Sequence, residues 1–395
     1  MTDDSSSAPA NKSPNESGQG PVAAPRRRRR AVLRWALTLT LAILLVAVWS
    51  VRDHLRTLRS LRRIPDSNAY VIDYYGDYNL AKIRREGVDV QDLEGTYIRA
   101  FFPRWLQPVV ERVKRAYVPR PIQTLPTAAP AHHCSTLAIQ TSAGSFFARN
   151  FDYGNDACLI VRIHDDEGIA SIAVIDLQYL NLNRPDLDET YLWERLPLLF
   201  APYYVMDGVN RHGVAVADMS VPDAAPPAAA TKPAMTQSTL MRLILDEART
   251  VDEALELAQS YQIHFVQHPE HLMIADADGR SCVVEWVAGQ LQATRSDRPW
   301  QVCTNHVVWS RTEAQNDAAC ERYRIGSAAA DEAAGPAADS RLAAKLQLDD
   351  VQRLVQRMSV EGWTMWTSVY DLKRRELRVL YRSRETSSYE DRLAE

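Results

Sequence analysis

The stretch Cys134–Asp152, CSTLAIQTSAGSFFARNFD, leaves the chain little local choice. Apolar and polar residues alternate over Cys134–Thr141, Ser142-Ala143-Gly144 supplies a turn, and Ser145–Phe151 resumes an apolar strand. That is the pattern of a β-hairpin. A turn centred near Ala143 predicts Cys134 opposite Asp152 on one face, with Arg149 close by. Residues 149 and 152 differ by an odd number, so a bulge or strand end near Asn150 is required to bring both to that face. A thiol, a carboxylate and a guanidinium gathered at a hairpin end make a candidate nucleophilic site. The competing reading is a buried free cysteine beside a surface ion pair.

Further strand pairs follow the same logic. Leu159–His164 and Ile169–Asp176 flank a turn at Asp165–Gly168, Asp207–Asp218 (DGVNRHGVAVAD) is a turn feeding a strand, and His271–Trp286 turns about Asp278-Gly279. Trp363–Tyr381 closes the chain with another hairpin. Helical spacing marks Tyr97–Tyr117, Ser238–Arg249, Asp317–Ala330 and Asp349–Met358, and Thr250-Val-Asp-Glu253 is a capping box opening a helix to about Tyr261.

The residues Cys-Ser, a Gly turn, then Arg149-Asn150-Phe151-Asp152-Tyr153 resemble the start of the mature chain in the choloylglycine-hydrolase-like Ntn hydrolases. That superfamily includes bile-salt hydrolases, penicillin V acylases, acid ceramidase and N-acylethanolamine-hydrolysing acid amidase. Ala148 stands where the family usually has Gly. Four later blocks resemble it in family order: Asp207–Asp218 with Asn210 and Gly213, the His271–Glu285 strand pair, Gln301–Val307 (QVCTNHV) with Asn305, and Trp363–Asp371. Glu321-Arg322-Tyr323-Arg324 is similar to the family's Ser-Arg-Phe-x-Arg.

The resemblance implies an α+β chain, a four-layer αββα sandwich, and cysteine amidase chemistry on a linear carbon–nitrogen bond. Cys134 would be nucleophile and, through a freed α-amine, its own base, so the bond His133–Cys134 must be cut. An amine near pKa ~8 and a thiol near ~8.5 suit each other for that proton transfer. Arg149 would favour the thiolate, Asp152 would orient the ammonium, and Asn305 would stabilise the oxyanion. Arg322 would balance charge, with Arg324 as the alternative. Asn210 and Ser220 stand at substrate-contact positions, Ser220 replacing the family's usual Asn or Tyr. No cofactor and no metal is expected. His264, His268 and His271 have ligand-like spacing, but Pro269 breaks any helix that would align them. A Cys–His pair using His306 or His212 is an alternative without a family signature. An acyltransferase of the same fold and an inactive membrane-tethered binding module are the alternative functions.

The N-terminus sets the expected location. Residues 1–30 read as a disordered tail ending in the arginine run Arg26–Arg30. Trp35–Val51 (WALTLTLAILLVAVWSV) is uncharged and apolar, and with Ala31–Leu33 it predicts one transmembrane helix over 31–51. The basic cluster places the N-terminus in the cytoplasm and the catalytic part in the periplasm or outside. Residues 52–133 are expected to be a pro-region and Pro-punctuated linker, and 134–395 the catalytic domain. The anchor makes a lipid-like N-acyl amide the favoured substrate class. With basic residues concentrated at the N-terminus and a net charge of −4, no nucleic-acid partner is expected; oligomeric state is left open. Five cysteines without CxxC spacing leave disulfide pairing open.

Overall fold

Along Cys158–Ile163, side chains alternate between two cores: Leu159, Val161 and Ile163 enter one, Cys158 and Ile160 the other. That period of two is what a strand buried on both faces requires, and it sets the layering of the whole protein. The structure is a computed structural model describing residues 34–41, 52–102, 104, 107–108, 112, 134–153, 157–164, 169–221, 232–265, 269–334, 346–382 and 388–393. Residues 1–52 and 53–395 form two separate units.

In chain order the strands are β1 (Arg62–Arg63), β2 (Ala69–Tyr74), β3 (Ser135–Gln140), β4 (Ser145–Asp152), β5 (Cys158–Ile163), β6 (Ser171–Asp176), β7 (Asp207–Asn210), β8 (Ala215–Ser220), β9 (Ala234–Thr236), β10 (Gln262–His264), β11 (Glu270–Ala275), β12 (Ser281–Val287), β13 (Gln290–Arg295), β14 (Trp300–Cys303), β15 (Thr364–Asp371), β16 (Glu376–Tyr381) and β17 (Ser388–Arg392). The α-helices that follow β2 are α1 (Leu80–Glu86), α2 (Leu93–Phe101), α3 (Gln237–Glu247), α4 (Val251–Ser260), α5 (Glu313–Ala319), α6 (Glu321–Ala334) and α7 (Leu348–Gln356). A nine-stranded sheet runs β1-β2-β5-β6-β7-β8-β11-β12-β13 and a six-stranded sheet β14-β3-β4-β15-β16-β17. One core lies between the sheets, joined by residues of α6 and α7; the other joins the outer face of the larger sheet to α1–α4. Two facing sheets with helices outside both are the mixed helix and sheet layering expected.

Three expectations need correction. The pairing of β3 with β4 sets Ser135 opposite Asn150 and Gln140 opposite Ser145, so Cys134 falls in line with Phe151, not Asp152. The turn is Thr141–Gly144, closed by the Thr141 N–H on the Gly144 carbonyl at 2.8 Å; its centre lies half a position before Ala143, which shifts the cross-strand register by one residue. The irregularity sought near Asn150 lies in the partner strand: Thr364 pairs with Asp152 and Trp366 with Phe151, so β15 carries the extra residue Met365. Finally, the division at 133/134 does not divide the fold. β2 pairs in parallel with β5 over its full length, from Ala69–Cys158 to Tyr74–Ile163, and buries all six of its residues. Residues 62–101 are thus integral to the larger sheet and its helical layer, because β5 would otherwise be left as an unpaired apolar edge.

The expected helix Asp317–Ala330 is two helices. α5 opens with a capping box on Thr312 and Gln315, ends at Cys320, and α6 begins at once. The expected helix at 97–117 is described as α2, opened by Asp92 accepting from the Gly95 N–H; most of 103–133, with the linker and His133, lies outside the described residues. Among the described residues no helix is long and apolar enough to cross a membrane. Of the expected span only 34–41 is described, helical and exposed, so the anchor finds no support in the fold.

Candidate active site

Cys134 precedes β3 directly and is 4% exposed, buried among the side chains between the sheets. Arg149, on β4, brings one guanidinium nitrogen to 3.7 Å from the Cys134 sulfur. The same guanidinium crosses to the other sheet, pairing with Asp207 of β7 at 3.1 Å and Asp218 of β8 at 2.9 Å. It also donates to the carbonyls of Met206 and Asp218 at 2.6 and 2.8 Å. A buried guanidinium needs this many acceptors. Burial works against its charge, but the thiol and the two carboxylates outweigh that and hold its pKa above the usual value.

Asp152 is buried and accepts the Thr364 hydroxyl at 2.5 Å on Oδ1. Its Oδ2 has no hydrogen-bond partner among the described residues, and Arg322 lies 3.9 Å away. Burial therefore dominates and raises its pKa to about 7, with Thr364, Arg322 and Arg149 pulling the other way. Asp152 lies near enough to the Cys134 thiol to act on its charge, so the two residues are neighbours despite the altered register. For Cys134 itself burial pushes the thiol up, against the opposing field of Arg149.

Arg322, at the second position of α6, completes the cluster. It donates to the Cys134 carbonyl at 2.7 Å and to Asn305 Oδ1 at 2.9 Å. A guanidinium has only donors, so it orients the amide with Oδ1 toward itself and the NH₂ away. That NH₂ donates to the Ser220 carbonyl at 2.8 Å, leaving its second N–H to serve another acceptor. Arg324 instead is exposed and pairs with Glu321 at 2.8 Å. Cys134, Arg149, Asp152, Asn305 and Arg322 are therefore brought together, and Ser220 joins them through its backbone.

Asn210 is placed elsewhere. Its NH₂ donates to the carbonyls of Leu245 and Ala248 at 3.2 and 2.7 Å, and its Oδ1 accepts the N–H groups of His212 and Val214, both at 3.0 Å. Every hydrogen-bonding position of the side chain is spent on locking the β7–β8 turn and the end of α3, which leaves none for a substrate.

Sequence reasoning missed Asp207, Asp218, Thr364 and a second buried pair. Asp207 also accepts from Trp366 Nε1 at 3.1 Å and from the Tyr370 hydroxyl. Burial raises the Asp218 pKa to about 6 against the pull of Arg149, and burial together with the neighbouring Asp218 charge raises that of Glu270 well above the usual carboxylate range, with Gln237 and Arg149 pulling the other way. His271 lies 2.9 Å from Glu285 through Nδ1 and 2.7 Å from the Thr304 carbonyl through Nε2, both side chains fully buried. Glu285 also accepts from the Val308 and Trp309 N–H groups, so the pair holds both ends of the loop bearing Asn305. These occupied nitrogens leave His271 no free donor for a metal; His268 lies outside the described residues. All five cysteines are free thiols.

The sequence profile of the family described as acyl-coenzyme A:6-aminopenicillanic acid acyl-transferase matches residues 201–385. Among solved structures, a mutant form of the conjugated bile acid hydrolase from Clostridium perfringens superposes with a TM-score of 0.51. It is 13% identical over 66% of this chain and 92% of that one. The fold is that of the choloylglycine-hydrolase-like Ntn hydrolases. A second variant of the same bile acid hydrolase gives 0.50, again at 13% identity and the same coverage. Penicillin V acylase from Agrobacterium tumefaciens is 17% identical over 63% of this chain and 83% of that chain, with a TM-score of 0.45. No curated protein gives a significant match. In this Ntn fold the cluster sits where the first hairpin of the six-stranded sheet meets β7 and β8 of the other, so both sheets must be in place to build it.

Proposed function

We propose that the protein is an N-terminal-nucleophile cysteine amidase that hydrolyses the linear carbon–nitrogen bond of an N-acyl amide. One observation supports this reading above the rest: a single guanidinium, that of Arg322, ties the Cys134 backbone to the Asn305 amide. Nucleophile and oxyanion donor are thereby held in fixed relation, as acyl transfer demands.

Cleavage between His133 and Cys134 gives Cys134 an α-amine. The buried Oδ2 of Asp152, which accepts no hydrogen bond among the described residues, is an acceptor for that group once it is charged. The amine takes the thiol proton, the thiolate attacks the amide carbon, and the free N–H of Asn305 meets the oxyanion. The ammonium returns its proton to the leaving nitrogen as the C–N bond breaks, leaving a thioester on Cys134. Water, deprotonated by the amine, then releases the acid. Arg149 lowers the cost of the thiolate in a buried setting.

The resemblance of residues 201–385 to an acyltransferase family favours one second reading, transfer of the acyl group to an amine instead of water. The apolar run at 31–51 further suggests a membrane-tethered enzyme with its catalytic part outside the cytoplasm and a lipid-like acyl chain on the substrate. Profiling N-acylethanolamines, ceramides, N-acyl amino acids and penicillin V, with and without added amine acceptors, tests the reading. Thiol-dependent release of free acid supports it; acylated acceptor alone supports the transferase; no turnover of any of them by correctly processed protein defeats both. A reporter fused after Glu395 that is active only in the cytoplasm would overturn the orientation.

A further inference from the structure

His271 on β11 and Glu285 on β12 stand one step beyond Leu272 and Val284 in the β11–β12 register. Met273 and Val283, two residues along each strand, lie in the core between the sheets, so His271 and Glu285 share that inner face. Neither side chain has any exposed surface. What they grip belongs to the other sheet. β14 of the six-stranded sheet ends at Cys303, and the loop after it carries Asn305. His271 Nε2 lies 2.7 Å from the Thr304 carbonyl, whose peptide plane leads into Asn305. Glu285 accepts the Val308 N–H at 3.0 Å on Oε1 and the Trp309 N–H at 2.8 Å on Oε2. The backbone is thus clamped on both sides of Asn305, from the sheet opposite the one its loop leaves.

The partners of the ring fix where its protons lie. A carbonyl only accepts, so Nε2 carries a proton for Thr304. Nδ1 lies 2.9 Å from Glu285 Oε1, where two facing lone pairs would repel, so that contact holds a proton too. A carboxylate already accepting two backbone N–H groups is favoured in its charged form, which puts this second proton on the ring. The Cys303 sulfur, 3.4 and 3.9 Å from the two nitrogens, is farther from each than its oxygen partner. Burial pushes the Glu285 carboxyl up, but His271 and the Val308 and Trp309 N–H groups outweigh it and hold it below its ordinary value.

We infer that His271 and Glu285 are positioning residues for the reaction, a fully buried imidazolium–carboxylate pair that fixes the loop bearing Asn305 and so sets where its free N–H meets the oxyanion. The division of labour follows from the contacts: Arg322 orients the Asn305 amide, and the pair places the backbone that carries it. A buried ion pair is a weak source of stability, since desolvation of the two charges offsets their attraction. What this one supplies is a fixed distance. A misplacement of about 1 Å in such a donor can cost ~10²-fold in rate.

The effect on turnover rests on the amidase reading; the clamp on the loop does not. Glu285→Gln leaves one acceptor oxygen for the two N–H groups and turns an NH₂ toward a donor. In the full chain it should lose ~10-fold or more in kcat with KM changed less than ~2-fold, at matched folded concentration. In an Asn305→Ala background the same substitution should cost less than ~2-fold, because the group it positions is gone. An equal cost in both backgrounds, or none in either, would overturn the positioning role. Two readouts need no substrate. Hydrogen exchange read by mass spectrometry should show the 304–309 amides exchanging at least ~10-fold faster in Glu285→Gln, with β3 and β4 unchanged. Nitrogen-15 NMR of the histidine-labelled wild-type chain at pH 7 should find a proton on both ring nitrogens of His271. Unchanged exchange of that segment, or a His271 ring with a single proton, would overturn the pair whatever the substrate. Both readouts as expected, with no amide turned over by processed protein, would defeat the amidase reading and leave the clamp on Asn305 standing.

Discussion

Arg322 and Cys134, 188 residues apart in the chain, are joined by a 2.7 Å hydrogen bond from the guanidinium to the Cys134 carbonyl. The bond fixes the backbone of Cys134 from the start of α6, and the same side chain fixes Asn305. Lysine has one charged nitrogen on a flexible stem and cannot hold two acceptors in a plane. Arg322→Lys should therefore fold and be processed yet lose ~10²-fold or more in turnover, with little change in melting temperature. Equal activity of the two proteins at matched folded concentration would remove Arg322 from the machinery.

Asn305→Ala should fold, be cut at 133/134 and lose roughly 10²–10³ in turnover, because the lost N–H acts on the transition state. The comparison with Arg322→Lys is informative: the double variant should lose much less than the product of the two effects, since both act through one amide. A fully multiplicative loss in steady-state kinetics would show that they act independently.

Cys134→Ala should abolish turnover, and maturation too if the cut is autocatalytic, whereas Cys134→Ser retains at most a trace. Cys158→Ala, Cys282→Ala and Cys303→Ala remove buried thiols from the interior and should alter stability alone. Loss of turnover in any of those three at equal folded concentration would relocate the nucleophile.

Cutting the chain should not separate its pieces. β2, before the cut, is the parallel partner of β5, after it. Mass spectrometry of active protein should find a fragment starting at Cys134 of about 29 kDa, and native gel filtration should keep it with its N-terminal companion. Active protein that remains a single chain would sink the N-terminal-nucleophile mechanism, and a lone 29 kDa species with full activity would contradict the sheet order.

Asp152 makes the uncut chain more stable in mild acid. Its folded pKa of about 7 lies above its unfolded value, so between them the folded state binds more protons and stability falls as pH rises. In a Cys134→Ala background, Asp152→Asn should raise the stability at pH 7.5 by ~2–4 kcal/mol and change it little near pH 4. Urea titrations at the two pH values decide it; an equal effect at both would show that the carboxyl is not held neutral. Glu285 has the opposite sign: burial raises its pKa, but His271 and the Val308 and Trp309 N–H groups outweigh it. The stability it supplies is present above its unfolded pKa and lost as pH falls through the lower folded value.

Much of this was legible beforehand because period-two alternation survives translation into strands: the hairpins at β3–β4, β11–β12 and β15–β16 fall where the pattern places them. The catalytic candidates came from the resemblance, and the structure gathers five of them. What escaped depended on facts a single strand does not carry. Turn length decided the Cys134 register, and a bulge in β15, over two hundred residues away, supplied the irregularity near Asp152. Asp207 and Asp218 stood in view at the two ends of one block, but their burial against Arg149 comes from the facing of two sheets. The break at Cys320 was signalled by Thr312 and Gln315, whose capping box starts a helix too early for one continuous run to Ala330.

Asp207 binds Arg149, Trp366 and Tyr370 from the sheet opposite its own. Each of these contacts spans the interior, and one of them belongs to the group that faces the Cys134 sulfur. Heat cannot loosen the seam between the sheets without dispersing the site, nor can the site disperse while the seam holds. The enzyme should accordingly lose function in a single step with its tryptophan environment on warming, with no inactive but still folded plateau between working protein and melted chain.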